Sequence, residues 1–221
     1  MKPPKTGNPA RPSSASETRH IDINLFAGAG GLAFGLVEAG FQLSQLFERD
    51  PYCCRTLRWN HKSRTPHATV HEGDVTTVDW RPFEGKVRLL AGGVPCQPFS
   101  LAGKHRAELD HRNLFPETFR AIREIRPAAV IIENVRGLLR RSFQPYFEYI
   151  LRQLQAPSVH PKRGEDWWDH DQRIRRQQCA SGFRPEYHVE WRLLDAADYG
   201  VLQNRQRVFI VATRRSHLRV S

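Results

Sequence analysis

The sequence contains little cysteine and no long hydrophobic stretch. Its four cysteines, Cys53, Cys54, Cys96 and Cys179, form neither a C-x-x-C pair nor a set with paired histidines at zinc-ligand spacing. Disulfide bonds and a metal site are therefore not expected. No apolar run approaches the roughly 20 residues of a membrane span, and the N-terminus lacks the hydrophobic core of a signal peptide. We therefore expect a cytoplasmic protein.

Acidic residues are outnumbered by basic ones. The 221 residues include 34 Lys and Arg against 23 Asp and Glu, which gives a formal net charge of +11. A polyanion is the expected partner, with nucleic acid first and an anionic membrane surface second. The hydrophobic content of 39% is ordinary for one globular domain.

Apolar segments alternate with helical ones from Ile21 onward. Residues 1–20, rich in Pro, Ser and basic residues, are typical of a disordered basic tail. The order after Ile21 is β-α-β-α, with strands expected in IDINLFAG, FQLSQLFE, VRLLAGG and AAVIIEN, the last too apolar to have a solvent-exposed face. This pattern predicts a doubly wound α/β domain over residues 21–221, with a mostly parallel sheet covered on both faces.

Two segments depart from the alternation. Residues 155–185 are densely charged, and we expect them to form an insertion over the domain rather than part of its core. The following segment, from Tyr187 to Arg215, contains two strand candidates around a glycine-containing turn. These predict an antiparallel pair at a sheet edge near the C-terminus.

The stretch NLFAGAGG joins the first strand to the first helix. Glycines at such a turn, here Gly28, Gly30 and Gly31, allow a ligand to approach the backbone and the helix N-terminus, although a simple tight turn explains them equally well. Glu48 follows the second strand candidate, where a carboxylate can accept ribose hydroxyls. Asp74 follows the next β-type segment. Together these residues predict an adenosine pocket, and solvent-exposed carboxylates are the alternative.

Cys96 lies between Pro95 and Gln97, just after the strand VRLLAGG. Free cysteines are often buried apolar fillers. Pro95 and Pro98 restrict the loop, however, and the position is the strand end where α/β sheets bind ligands. A fixed thiol in a basic protein meets the requirements for a nucleophile.

Two further motifs carry polar groups. Glu133 and Asn134 end the apolar strand AAVIIEN, where an unpartnered carboxylate would be costly, and helix capping is the alternative role for Glu133. Arg205 and Arg207 lie on one face of an extended segment by the period of two. They could bind one anionic or carbonyl-rich partner, or form surface salt bridges.

In this order, NLFAGAGG, FERD, GDV, GGVPCQPFS, IIENV and QNRQRVF resemble the C5-cytosine DNA methyltransferase family, over about Ile21 to Thr213. The resemblance implies a Rossmann-like fold that binds S-adenosylmethionine. It also implies a restriction-modification type enzyme that acts on a cytosine flipped out of double-stranded DNA.

The resemblance also implies roles for individual residues. Cys96 adds to cytosine C6, Glu133 hydrogen-bonds the N3 edge, Arg207 contacts O2 and Arg205 supports the loop. The matching cofactor-binding positions are Phe26, Ala27, Gly28, Gly30, Gly31, Glu48, Asp74, Val75 and Pro95.

Three features depart from the family pattern. Asn24 replaces the usual Asp, and Leu202 replaces the usual Pro. The chain ends at Ser221 without the target-recognition domain or the later motifs. We therefore expect either one part of a split enzyme that needs a C-terminal partner, or a non-catalytic remnant that binds nucleic acid or S-adenosylmethionine. A less favoured reading is an RNA-cytosine methyltransferase.

Overall fold

The computed structural model of the chain describes residues 21–95 and 113–217. The predicted N-terminal tail lies outside the described residues. Within the two described ranges, none of the helices has the length and hydrophobicity needed to cross a membrane. The strands are β1 Ile21–Leu25, β2 Leu43–Glu48, β3 Thr69–Glu72, β4 Val87–Gly93, β5 Ala129–Val135, β6 Tyr187–Asp195 and β7 Gln206–Arg214. The α-helices are α1 Gly31–Glu38, α2 Pro51–Arg64, α3 Phe115–Ile125, α4 Gln144–Gln155 and α5 Trp167–Gln178.

The strands form one sheet in the order β3-β2-β1-β4-β5-β7-β6. The first five are parallel. β7 is antiparallel to β5 and β6 is antiparallel to β7. This confirms the predicted doubly wound, mostly parallel sheet and the antiparallel pair near the C-terminus. The carboxyl ends of β1, β2, β4 and β5 therefore meet at one edge, where such sheets bind ligands.

Helices cover both faces of the central strands β1 and β4, because successive side chains point to opposite faces and consecutive ones are buried. On one face, Ala33 of α1 and Leu57 of α2 pack with Leu46 and Ala91. On the other face, α3, α4 and α5 pack against a larger core that includes Leu90, Val130, Ile132, Val208 and Ile210. The central strands β1 and β4 are thus held between two helical layers.

The prediction that residues 155–185 lie outside the core was wrong for α5. Trp167 and Ile174 belong to the larger core, and His170 and Asp171 are also buried. These four positions follow the i, i+3, i+4, i+7 spacing of a helix face that contacts a core. The spacing was present in the sequence, but the polar character of His170 and Asp171 concealed it.

The expectation of a strand without an exposed face was also wrong for β5. Val130 and Ile132 are buried, whereas Ile131 and Glu133 on the other face are only partly buried. Val135, at the end of that face, is 46% exposed, and Val211, the partner of Ile131 on β7, is 40% exposed. The cause is that α1 and α2 contact the sheet mainly at β2 and β3. This side of β5 and β7 is therefore partly open to solvent.

Candidate functional site

The glycine loop between β1 and α1 has an unusual backbone. Phe26, Gly28 and Gly30 have φ values of 52°, 53° and 103°, in the left-handed region that favours glycine. α1 begins directly afterwards, at Gly31. The loop therefore turns sharply and carries the chain from the strand end into a helix N-terminus.

Glu48 lies against this loop. Its Oε2 accepts a hydrogen bond of 2.8 Å from the backbone N–H of Gly28, and its Oε1 accepts bonds from the N–H groups of Arg49 and Asp50 at 2.8 and 2.7 Å. The end of β2 is thereby fastened to the end of β1. Oε1 thus accepts two of these bonds, whereas Oε2 accepts one and retains acceptor capacity for a further donor.

Asp74 continues this line of polar groups. Its Oδ1 accepts a 2.9 Å hydrogen bond from the N–H of Thr76, and its Oδ2 lies 3.6 Å from Arg49 Nη1. The Thr76 N–H, with Arg49 as a smaller contributor, lowers the pKa of Asp74 below its usual value. The carboxylate is therefore ionised at neutral pH. The Val75 side chain belongs to the hydrophobic core.

A cavity of about 770 Å³ opens beside the glycine loop. It brings together seven of the predicted site residues and α1. Among the residues that line it are Phe26, Ala27, Gly28, Gly31, Glu133, Arg205 and Arg207. Gly30, Glu48, Asp74, Val75 and Pro95 do not line this cavity. A cavity of this volume suits a ligand of small-molecule size.

The Glu133–Arg207 ion pair forms one wall of the cavity. Glu133 is paired with Phe209 in the β5–β7 ladder and Val135 with Arg207, so Glu133 and Arg207 are diagonal neighbours on one face. Arg207 Nε donates to Glu133 Oε1 at 2.8 Å, with the side chains 22% and 27% exposed. A ligand in the cavity can therefore reach both an acceptor and a cationic donor.

Gly93 leaves room for this carboxylate. A Cβ at Gly93 would lie 3.2 Å from Glu133 Oε2, closer than side chains normally approach. The second glycine of VRLLAGG therefore belongs to the wall of the site, whereas the sequence showed it only as the end of a strand.

Asp195 and Tyr199 line the cavity and were missed from the sequence. Asp195 Oδ1 accepts hydrogen bonds from the N–H groups of Arg205 and Ala197 at 2.9 and 3.2 Å. These bonds, that of Arg205 first, lower the pKa of Asp195. They hold the backbone of Arg205, whose side chain is exposed. An Asp directly before Ala-Ala at a strand end is a capping signal that could have identified this residue.

The loop towards Cys96 is anchored by Asn134. The period of two directs Asn134 away from Glu133. Its Nδ2 donates to the Val94 carbonyl at 3.0 Å, and its Oδ1 accepts from the N–H of Val135 at 2.9 Å. The Pro95 carbonyl accepts from the N–H of Leu114 at 3.4 Å. The predicted nucleophile Cys96 and its neighbours Gln97 and Pro98 lie outside the described residues.

The two substitutions relative to the family pattern lie outside the cavity lining. Asn24 is fully buried, and its Nδ2 donates to the Ala91 carbonyl at 3.2 Å. An aspartate could not make that bond, so Asn24 ties β1 to β4. Leu202 is fully exposed on the turn before β7.

The comparisons with known proteins agree with this arrangement. The model of the C-5 cytosine-specific DNA methylase family matches residues 21–157 and 169–220. The unmatched residues 158–168 lie inside the segment that we predicted as an insertion. The type II methyltransferase M.NgoMIV of Neisseria gonorrhoeae is 40% identical over 88% of this chain and 52% of its own length. M.AquIA of Picosynechococcus is 36% identical over 87% of this chain and 71% of its own length. The chain thus spans about half the length of M.NgoMIV.

Solved structures share the fold at lower identity. A variant of Spodoptera frugiperda DNMT2 aligns with a TM-score of 0.60 at 17% identity, covering 91% of this chain and 52% of that one. The S. pombe Dnmt2 methyltransferase aligns with a TM-score of 0.56 at 16% identity, covering 89% and 49%. These structures support the fold assignment alone. The match of the family model over most of the chain confirms the resemblance seen in the motifs, and the chain belongs to the C-5 cytosine-specific DNA methylase family.

Proposed function

We propose that this domain transfers a methyl group from S-adenosylmethionine to C5 of cytosine in DNA, through a covalent adduct with Cys96. The observation that carries the proposal is the Glu133–Arg207 pair at 2.8 Å on the wall of the glycine-loop cavity. It supplies the two groups that cytosine activation requires, on a chain of the corresponding family.

The chemistry assigns a task to each residue. Cytosine C5 is a poor nucleophile until a thiolate adds to C6. In this proposal Cys96 forms that bond, and the electron pair of the C5–C6 double bond moves towards C5 and the ring. Arg207 stabilises the developing charge at O2 and Glu133 hydrogen-bonds the N3 and amino edge. When C5 takes the methyl group, the S–CH3 bond would break and the cofactor would leave as the neutral thioether S-adenosylhomocysteine. Loss of the C5 proton to a base then expels the Cys96 thiolate and restores the C5–C6 double bond.

The residues near the glycine loop fit the cofactor. S-adenosylmethionine, when bound, supplies an electrophilic methyl group. Gly28 and Gly31 expose backbone at a cavity of about 770 Å³, and the Glu48 carboxylate, 2.8 Å from the Gly28 N–H, is available for ribose hydroxyls. In this proposal Asp74 accepts the adenine amine, and Phe26, Ala27, Gly30, Val75 and Pro95 complete the cofactor-binding set.

Recognition of a specific DNA sequence belongs, in this proposal, to polypeptide other than these 221 residues. The support is that M.NgoMIV is matched over 52% of its length. A further segment or a separate C-terminal subunit would carry the side chains that contact base edges. The DNA partner is double-stranded, and the target base must leave the helix to reach Glu133.

The cofactor assignment can be tested on the chain itself. We expect Glu48→Ala and Asp74→Ala each to weaken S-adenosylmethionine binding by about 1–3 kcal/mol, the cost of losing a buried hydrogen-bond partner. Titration calorimetry measures this. Glu38→Ala is the matched control, because that carboxylate is 72% exposed at the end of α1. Equal affinities in all four proteins would contradict the assignment.

The nucleophile requires a trapping experiment. The chain is combined with a C-terminal polypeptide of a relative and with duplex DNA that contains 5-fluorocytosine. The DNA should become covalently attached to Cys96, because fluorine at C5 prevents the final elimination. Denaturing electrophoresis and peptide mapping identify the attached residue. Attachment that persists in Cys96→Ser would assign the role to another residue.

A further inference from the structure

A second cavity lies at the opposite edge of the sheet. It has a volume of about 250 Å³ and is formed by the end of α3, the segment after α4 and the ends of β6 and β7. Three arginines line it, namely Arg123, Arg126 and Arg214, together with Ser158, Glu186 and Tyr187. The site therefore combines three guanidinium groups with one carboxylate.

The positive charges of these arginines are poorly neutralised by nearby carboxylates. Among the described residues, the Arg123 side chain makes no hydrogen bond or ion pair, and its neighbours Glu117 and Glu124 pair instead with Arg120 at 2.7 and 3.3 Å. Arg126 has Glu84 at 3.5 Å, and both of those side chains are more than half exposed. Arg214 Nη1 donates to the Arg126 carbonyl at 3.3 Å, which neutralises no charge.

The single carboxylate of the cavity does not neutralise the arginines either. Glu186 Oε1 accepts a 3.1 Å hydrogen bond from the N–H of Ser158. No ion pair within 4 Å joins Glu186 to an arginine in the part of the chain that the structure describes. Tyr187 is committed as well, because its hydroxyl donates to the Pro127 carbonyl at 2.7 Å. The cavity thus keeps an excess of positive charge.

Partial burial makes that excess unfavourable in the absence of an anion. Arg123 is only partly exposed, and burial lowers the pKa of its guanidinium. Removing a cation from water without a counter-ion is costly. Guanidinium groups match the geometry of phosphate oxygens and bind them through paired, charge-assisted hydrogen bonds.

We propose that this cavity is a phosphate-binding site formed by Arg123, Arg126 and Arg214. β5 has seven residues between this edge and the Glu133 edge, a separation of roughly 20 Å at about 3.3 Å per residue. The site is therefore distinct from the methyl-transfer cavity. Its small, concave shape favours the phosphate group of a small free anion over a phosphate of a DNA backbone. Binding experiments with each kind of ligand distinguish these two sources.

Inorganic pyrophosphate is the probe for the small anion. Calorimetric titration at constant ionic strength should show saturable binding to the full chain. We expect Arg123→Gln to weaken it about tenfold, the loss of about one charge-assisted contact, and Arg123→Gln with Arg214→Gln to remove it. The control is Arg176→Gln, an exposed arginine on α5, which should bind as wild type does. Amide NMR shifts on titration should concentrate at residues 122–126, 158, 186–187 and 214.

The same variants distinguish the source of the phosphate. If Arg123→Gln weakens binding of mixed-sequence duplex DNA and reduces its salt dependence, the site binds a backbone phosphate; unchanged DNA binding with weaker pyrophosphate binding identifies a small anion. The proposal would be overturned if wild type, both variants and the control bound pyrophosphate with the same affinity and also bound DNA with the same affinity. NMR spectra that remain native outside the cavity exclude misfolding as the cause of any loss.

Discussion

Asp22 shows how much the environment of a single residue matters. It is fully buried on β1, where its carboxylate accepts hydrogen bonds from Arg88 on β4 and from the N–H of Gln42 at 3.1 Å. Arg81 and Asp79 form an ion pair of similar chemistry, with Nε–Oδ1 at 2.8 Å, but their side chains are 81% and 52% exposed. The two pairs should therefore contribute very differently to stability.

We expect Arg88→Met to lower the free energy of unfolding by about 3 kcal/mol, because it leaves the Asp22 carboxylate buried without its cation. Arg81→Met, the matched control, should leave it nearly unchanged, because solvent screens an exposed ion pair. Urea unfolding followed by tryptophan fluorescence measures both. A similar small effect for the two variants would show that Asp22 is compensated by its bond to Gln42 or by solvent.

At the scale of elements, α5 is held in place by ion pairs around its buried face. Asp171 is bound by Arg152 and Arg175 at 2.7 and 2.8 Å. Glu165, just before the helix, accepts from Arg173 Nε and Nη2 at 2.8 and 2.7 Å. The Arg173 guanidinium is the main reason that the pKa of Glu165 falls from 4.5 to about 2. The Arg152–Asp171 pair thus joins α5 to α4, whereas the other pairs stabilise α5 and the residues just before it.

The low pKa of Glu165 predicts that the stability of the fold decreases in acid. Because the folded pKa of Glu165 lies below its unfolded value, the unfolded chain binds the extra proton, and the stabilisation is complete above pH 4.5 and is lost as the pH falls towards 2. Between pH 4.5 and pH 2, the unfolding free energy should fall further in wild type than in Glu165→Gln. The difference between the two decreases should be on the order of 2 kcal/mol. Parallel curves for the two proteins would contradict the role of the Glu165–Arg173 pair.

At the scale of the whole molecule, the net charge determines how the chain should bind DNA. The formal net charge of +11 attracts the DNA backbone whatever its sequence. Phosphate contacts position a protein on DNA, whereas contacts with base edges specify the sequence. Binding by the isolated chain should therefore be strong at low salt and indifferent to sequence.

We expect the affinity for mixed-sequence duplex DNA to fall at least about tenfold between about 50 and 200 mM salt, because bound counter-ions are released on binding. Fluorescence anisotropy with two unrelated duplexes of equal length measures both the salt slope and the specificity. Site-specific methyl transfer should appear only when a polypeptide with the recognition domain is added. A large preference for one duplex by the chain alone would place sequence recognition within these 221 residues.

The alternation of strands and helices up to α4 and the antiparallel strand pair after α5 could be predicted from the sequence alone, because they depend on local patterns, and the family motifs could be recognised there. The helix α5 was not predicted. Alternation of apolar segments identifies the parallel strands, and glycines or carboxylates at their ends identify the ligand edge. GGVPCQPFS and IIENV, seen together, indicated the family that the comparisons confirm. The predicted role of Cys96 remains a prediction, since it lies outside the described residues.

Only the tertiary structure decided which of these residues share a space. Glu133 and Arg207 are distant in sequence, and the antiparallel register of β5 and β7 makes them diagonal neighbours. The contact between Asp195 and the backbone of Arg205 is likewise visible only in the structure. Arg123 and Arg214 line one cavity only because α3 ends where β7 ends. Such contacts depend on strand order and register, which arise from packing across the whole sheet and have no local signal in the sequence.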